Sequence, residues 1–493
     1  MNEVLSILSS LAMRRSIVCS LFVFFVMGRI ADYTLSADLA HRPNVLLIYT
    51  DEHHFNTLGC YGGRVVGTPN IDSIAAKGAL CTSFYAATPV CSPSRASLIS
   101  GKYPQNTGVV QNNLPLRKEI VSFGDILAER GYATGWAGKW HLAGSGKPQW
   151  APEERFGFKD NRYMFNRGHW KKLAVTASGP VVGSKNKKGQ ADYGLVGVDE
   201  RSYATDWLTD RAIEFVVDNR DQPFCYVLSL PDPHGPNKVR PPYDTMYVGA
   251  EILVPDSMRK PNSAYPAWAP KTPRINPRWL RANLPQYYGM VKCIDDNVGR
   301  ILDTLRREGL LEKTMIVFTS DHGDLCGEHG RSEKGVPYEG SARIPFIVSY
   351  PEVIPPGGRI HEALSTVDVL PTMMGLMGID VSIEVDGRDA SALIRQEKPG
   401  DWNDIAFIRS TTGNHWVAAI TNDLKLVFSA KDTPWLFDLS KDPQEMTNRI
   451  AMPDYQVSIR GLVRELDQYR QSIGDPFLED PVIRKQIRAF MLP

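Results

Sequence analysis

Four apolar runs of strand length constrain the fold of this chain more than any other feature. They are NVLLIYT at 44–50, ATGWAG at 133–138, FCYVLSL at 224–230 and TMIVFTS at 314–320. None alternates between apolar and polar residues, which is the pattern of strands buried on both faces of a parallel sheet. A fifth run, IPFIVSY at 344–350, opens irregularly at Pro345. Helical patterns at 70–78, 120–130, 206–219, 286–309 and 368–376 fall between and beside the strands, several of them closed by glycine. Strands alternating with helices predict an α/β fold, a large mixed and mostly parallel sheet sandwiched by helices. Composition shifts at 387–404. The remainder has strand-like runs at 416–420 and 425–428 and an amphipathic helix at 459–469, which predicts a smaller C-terminal α+β subdomain of antiparallel strands and a helix. The expected division is therefore 41–390 for the larger part and 400–493 for the smaller.

Each of the four runs hands off at once to ionisable residues. Asp51, Glu52, His53 and His54 follow the first; Lys139 and His141 the second; His234, held between Pro233 and Pro236, the third; Asp321, His322 and Asp324, then Lys334, the fourth. In open α/β sheets ligands bind beyond the carboxyl ends of the strands, so a parallel sheet would gather these side chains at one rim. The adjacent carboxylates Asp51 and Glu52 suit a hard divalent cation. Lysines and histidines at the same rim suit an oxyanion.

The stretch ATPVCSPSRASL at 87–98 supplies the reactive group. Pro93 fits the first turn of a helix, where no backbone donor is lost, so Cys91 is expected just ahead of a helix N-terminus. Free N–H groups and the helix dipole favour oxyanions there, and Arg95 adds a fixed charge one turn in. Without further context the alternative is a small buried thiol before a helix.

Cys91-x-Pro93-x-Arg95 resembles the signature of type I sulfatases, within the alkaline phosphatase superfamily, in which this cysteine is oxidised after synthesis to formylglycine. The resemblance runs from Pro43 to about Asn448. RPNVLLIYTD at 42–51, LGCYG at 58–62, TPNID at 68–72, GKWHL at 138–142, SDHGD at 320–324, WLFDL at 435–439 and DPQEM at 442–446 are all similar to family blocks. It implies an alkaline-phosphatase-like fold. It also implies that Asp51, Asp321, His322 and the formylglycine from Cys91 ligate a divalent cation, usually Ca2+, with Mg2+ or Mn2+ as alternatives. Glu52 departs from the Asp or Gln of relatives, and its role as a further ligand is an expectation. His322 stands where other members carry Asn.

The same resemblance implies the chemistry. One hydroxyl of the hydrated aldehyde, acidified by the cation and Arg95, attacks sulfur. Lys139 and Lys334 bind the non-bridging oxygens, His234 or Lys334 protonates the leaving oxygen, and His141 is the base that lets the second hydroxyl expel sulfate. Substrate binding is expected from Lys139, His234, Lys334 and His54, the last with a plain loop role as its alternative.

Composition excludes other classes. A formal net charge of +1 over 493 residues is not that of a dedicated nucleic-acid binder. Arg14 and Arg15 precede an apolar run at 16–27, too short for a comfortable membrane span. It reads as a signal peptide within 1–40, with cleavage near 37–40 and a secreted or periplasmic product; an uncleaved anchor is the alternative. Apart from Cys19 and Cys91, five cysteines remain, without zinc-type spacing or a readable pairing. Residues 160–197 lack periodicity and carry Lys171, Lys172, Lys185, Lys187 and Lys188. They read as an insertion or lid, its lysines either greeting a polyanionic substrate or forming a solvated loop. The proline-rich stretch at 255–277 reads as a surface loop.

The leading expectation is a sulfatase acting on sulfate esters, above all of a sulfated carbohydrate, matured by a formylglycine-generating enzyme. The alternatives are a phosphodiesterase or phosphonate monoester hydrolase with the same nucleophile, and a non-catalytic binder of sulfated glycan. Substrate identity and oligomeric state lie beyond sequence.

Overall fold

The computed structural model describes residues 42–259, 265–269, 275–397, 400, 402–413 and 415–491. The expected signal peptide lies outside them. Eight strands build the main sheet: β1 (Asn44–Asp51), β2 (Ala79–Cys81), β3 (Ala133–Lys139), β4 (Met164–Phe165), β5 (Phe224–Pro233), β6 (Thr314–Ser320), β7 (Phe346–Ser349) and β8 (Gly358–Ile360). Their spatial order is β8-β2-β7-β6-β1-β5-β3-β4. β6, β1, β5, β3 and β4 run parallel, so their carboxyl ends share one rim. β7 is antiparallel to both its neighbours.

All of β1 is buried, and its residues alternate between two cores: Val45, Leu47 and Tyr49 face one, Leu46 and Ile48 the other. This is why the run carries no polar alternation. Each such Leu or Ile contributes about 1.5–3 kcal/mol on burial. The first core is closed by helices α2 (Cys91–Ser100), α3 (Phe123–Glu129) and α6 (Val369–Leu376), the second by α1 (Pro69–Lys77), α4 (Ala204–Asp218) and α5 (Pro277–Arg307).

Helix α5 begins nine residues earlier than the pattern at 286–309 predicts. Asn276 caps it by accepting a hydrogen bond from Trp279 N at 3.0 Å, Pro277 takes the first position, and Pro285 is carried inside. Its first two turns still bury Leu280 and Leu284, so packing sustains helix through the proline.

A second, antiparallel sheet follows: β9 (Ala406–Arg409), β10 (Trp416–Ile420), β11 (Leu424–Ser429) and β12 (Asp432–Asp438). Helices α7 (Gln456–Ile473) and α8 (Pro481–Met491) pack on it. Ala87, Tyr103 and Val367 join Val417, Leu436 and Leu462 in one apolar cluster, which welds this sheet to the segment that leads into Cys91. Among the described residues no helix is long and apolar enough to cross a membrane. The six described cysteines are all free.

Candidate active site

Cys91 is the first residue of α2, after Val90 in extended conformation. Every residue of this helix is buried, Arg95 included, which explains its lack of an amphipathic pattern. The entry turn is pinned by Ser92, whose N donates to Asn112 Oδ1 (2.9 Å) and whose Oγ donates to the His141 carbonyl (2.7 Å). Cys91 and His141 are thereby set side by side.

The ends of β1 and β6 bring two carboxylates to the same thiol. Thr50 pairs with Ser320, so Asp51 and Asp321 emerge together, and both are fully buried. Arg95 holds them: its Nε donates to Asp321 Oδ2 (2.9 Å), its second terminal nitrogen lies 3.5 Å from Asp51 Oδ2, and its first donates to Lys139 O and Ser229 Oγ. Arg95 therefore acts on the carboxylates rather than on the thiol.

His322 donates from Nδ1 to Gly323 O (2.9 Å), which leaves the Nε2 lone pair turned inward. That Nε2 is 3.2 Å from Cys91 Sγ, 3.5 Å from Asp321 Oδ1 and 3.8 Å from Asp51 Oδ1. The ligand atoms of Asp51, Cys91, Asp321 and His322 all lie within 4.8 Å of one another. Carboxylate oxygens and an imidazole lone pair repel at such distances unless a cation sits among them, so this donor set fits a divalent ion. The strain shows in Asp321, whose carboxyl is pushed up by burial and by the Asp51 charge. Asp51 moves down: burial opposes ionisation, but Lys139, His234 and Arg95 together outweigh it.

Glu52 lies outside this set of four. Its backbone is left-handed (φ 62°). The carboxylate instead bridges Lys334 Nζ (Oε1, 3.0 Å) and His234 Nε2 (Oε2, 3.0 Å). Burial would favour the neutral acid, yet those two cations hold it ionised below the ordinary carboxylate range. Reciprocally, burial works against charge on His234, but Glu52 lifts it to about 10. Lys334 Nζ also lies 2.6 Å from His234 Nε2.

Lys139 ends β3, where Gly138 (φ 96°) makes the turn. A Cβ at Gly138 would meet Ser229 O at 1.8 Å, so no other residue fits. Lys139 Nζ hydrogen-bonds Asp51 and lies 3.0 Å from His169 Nε2. His141 is buried with its Nδ1 unpartnered and Nε2 on Asn113 Oδ1 (3.1 Å); burial holds it down at about 4, hence neutral. Burial opposes a Cys91 thiolate, yet the Lys139 and Lys334 ammonium groups act against it, and the thiol lies well below its usual value.

Two sequence readings change. His54 is held by its neighbours. Its Nε2 lies 3.2 Å from Glu328 Oε1 and its Nδ1 accepts from Asn56 N, so the structure favours the loop role. Lys171 greets no substrate either, being fully buried and paired with Asp232 at 2.6 Å. Conversely, sequence reasoning missed His169, whose ring stacks on His234 (centroids 3.4 Å apart, planes 9° apart). It follows β4, a two-residue strand too short to leave a pattern, so this fifth strand-end gave no signal.

A thiol flanked by a cation position on one side and by two lysines and a charged histidine on the other defines the class: a hydrolase of oxyanion esters. Residues 43–379 match the Sulfatase family, and residues 327–472 match the family described as N-sulphoglucosamine sulphohydrolase, C-terminal. YidJ, a sulfatase of Escherichia coli strain K12, is 31% identical over 458 residues, 88% of each chain. An N-acetylglucosamine-6-O-sulfatase of Bacteroides thetaiotaomicron is 26% identical over 533 residues, 91% of this chain and 90% of the relative. A solved structure described as in complex with its substrate D-glucosamine-2-N,6-O-disulfate superposes with a TM-score of 0.74 at 22% identity, covering 90% of this chain and all of that one. The chain belongs to the sulfatase family of the alkaline phosphatase superfamily, and it is a sulfuric ester hydrolase.

Proposed function

We propose that this sulfatase releases inorganic sulfate from sulfated carbohydrates, with formylglycine made from Cys91 as its nucleophile. The observation that carries the reading is the convergence on one thiol of the Asp51, Asp321 and His322 acceptors and the Lys139, Lys334 and His234 donors. The carbohydrate is supported by the relatives named above, an N-acetylglucosamine-6-O-sulfatase among them.

Asp51, Asp321, His322 and the modified Cys91 would hold the divalent cation, and the carboxylate oxygens suit a hard ion such as Ca2+, Mg2+ or Mn2+. When bound, that cation acidifies the nucleophile's hydroxyl and neutralises charge on the sulfate oxygens. Arg95 positions both carboxylates from behind. Lys139 and Lys334 bind non-bridging sulfate oxygens. His234, kept protonated by Glu52, delivers a proton to the leaving alcohol; Lys334 beside it is the alternative donor. His141, buried and neutral, takes the proton when sulfate is released. Glu52 thus serves the acid rather than the metal.

We propose further that the apolar run at 16–27 carries the chain to the periplasm or beyond, with maturation by a formylglycine-generating enzyme on the way. Mass spectrometry across Cys91 after co-expression with such an enzyme should show the aldehyde, and the matured protein should release sulfate from sulfated saccharides. An unmodified thiol in a protein that still turns over would overturn the mechanism. Faster turnover of phosphate diesters than of any sulfate ester would replace the function with the phosphodiesterase alternative.

A further inference from the structure

Beyond His169 the rim continues as a wall of aromatic rings that ends in an unpaired cation. His169 stacks on His234 and faces Tyr193 at 6.3 Å between centroids, and Tyr193 in turn packs on Trp170 at 5.0 Å. Lys147 Nζ sits over both of these rings, 5.0 Å from Tyr193 and 5.3 Å from Trp170. Among the described residues no carboxylate lies within ion-pair distance of it. The nearby acids are engaged elsewhere: Asp192 accepts from Ser184 and Gly194, Asp199 from Ser202.

The ammonium is held in place by more than the two rings. Fully buried Asn166 donates from Nδ2 to Gly144 O and Gly146 O, both at 3.0 Å, and Arg167 donates to Ser145 O at 2.7 Å. The loop that carries Lys147 is thereby tied to the turn that carries His169. Asn166 O also accepts from His141 N at 2.7 Å, so loop and catalytic rim form one framework.

A second donor on this wall is also open. A lysine ammonium has no acceptor, so the 3.0 Å contact between Lys139 Nζ and His169 Nε2 requires that Nε2 accept and that Nδ1 carry the proton. No described residue accepts from that Nδ1. Two donors without acceptors, one of them an exposed ammonium set over two aromatic rings, make a surface that is complementary to an anion.

We infer that Lys147, with Tyr193 and Trp170 behind it, is a specificity-determining residue that takes a second anionic group carried by the same saccharide as the scissile sulfate. The inference rests on the carbohydrate reading above and deepens it: the preferred substrate is polyanionic, bearing a further sulfate or a uronate carboxylate one ring position or one residue away. His169 Nδ1 hydrogen-bonds the sugar between the two anions.

The test compares three probes by calorimetry on the Cys91→Ser protein, where binding is read without turnover. They are N-acetylglucosamine 6-sulfate, glucosamine 2-N,6-O-disulfate, and a uronosyl disaccharide of the first. The Cys91→Ser protein should bind at least one doubly charged probe roughly tenfold more tightly than the monosulfate. Which one it prefers identifies the second anion as sulfate or carboxylate. Adding Lys147→Met, which keeps the stem over the rings, should bring that ratio close to one, and Lys147→Arg should keep it. A parent without preference for either doubly charged probe, or a ratio that Lys147→Met leaves unchanged, overturns the inference. The sulfatase reading is tested separately by sulfate release from the matured enzyme, so the two failures are distinguishable.

Discussion

Two of the buried charge clusters among the described residues differ in whether they are finished. In the smaller one, between the C-terminal sheet and the catalytic part, Lys425 Nζ donates to Pro337 O (2.7 Å), Glu339 Oε1 (2.7 Å) and Glu445 Oε1 (2.9 Å). All three of its protons are placed, and Glu339 N donates to Glu445 Oε2. At the catalytic rim acceptors face acceptors across 3.5–3.8 Å, and His141 Nδ1 is buried without a hydrogen-bond partner. A satisfied network stabilises and specifies; one that leaves polar atoms open in a buried place is waiting for a ligand. The same side-chain types thus serve two ends.

The comparison breaks most visibly at Cys91. Cys91→Ala should lower sulfate-ester turnover by on the order of 10^4-fold or more, while the denaturation midpoint stays near that of the parent. Residual turnover within a hundredfold would remove Cys91 from the chemistry. Lys425→Met is the converse. It strands two buried carboxylates and should cost about 3–5 kcal/mol in urea denaturation, with the kcat of the surviving folded protein unaltered. A loss of kcat without a loss of stability would show that the two clusters are coupled. Lys334→Ala should fall between, lowering kcat/KM by about 10²–10³-fold, because both the sulfate oxygens and the Glu52–His234 pair lose their cation.

The same contrast explains what the sequence disclosed. β1, β3, β5 and β6 were legible because burial on both faces leaves uninterrupted apolar runs, and with them the positions of Asp51, Lys139, His234 and Asp321 at one rim. β2, β4 and β8 are two or three residues long, held by their neighbours' ladders rather than by any pattern of their own. His169 was lost with β4. The start of α5 was hidden because a proline inside a helix is indistinguishable, in sequence, from one that begins it. Glu52 is legible in another way: adjacency in sequence suggested a shared cation, whereas the structure pairs its carboxylate with Lys334 and His234.

The subtlest prediction separates the two histidines that flank the thiol, since burial and charge move them in opposite directions. His141 titrates at about 4 because burial disfavours its charged form; His234 titrates at about 10 because Glu52, helped by Asp51 and Cys91, overcomes the same penalty. A base must be neutral and an acid protonated, so kcat/KM for a sulfate ester should be level through neutral pH. It should fall on the acid side toward 4 and on the alkaline side toward 10. For stability the sign is the same on the acid side: a histidine whose folded value is depressed stabilises above its unfolded value of about 6.5, and that contribution is lost as pH falls toward 4. Glu52→Gln removes the carboxylate that holds the proton on His234, and the alkaline limb should therefore move down toward neutrality while the acid limb stays. If instead both limbs moved together, Glu52 would be acting through the metal position after all, and the division of labour between Asp51 and its neighbour would have to be redrawn.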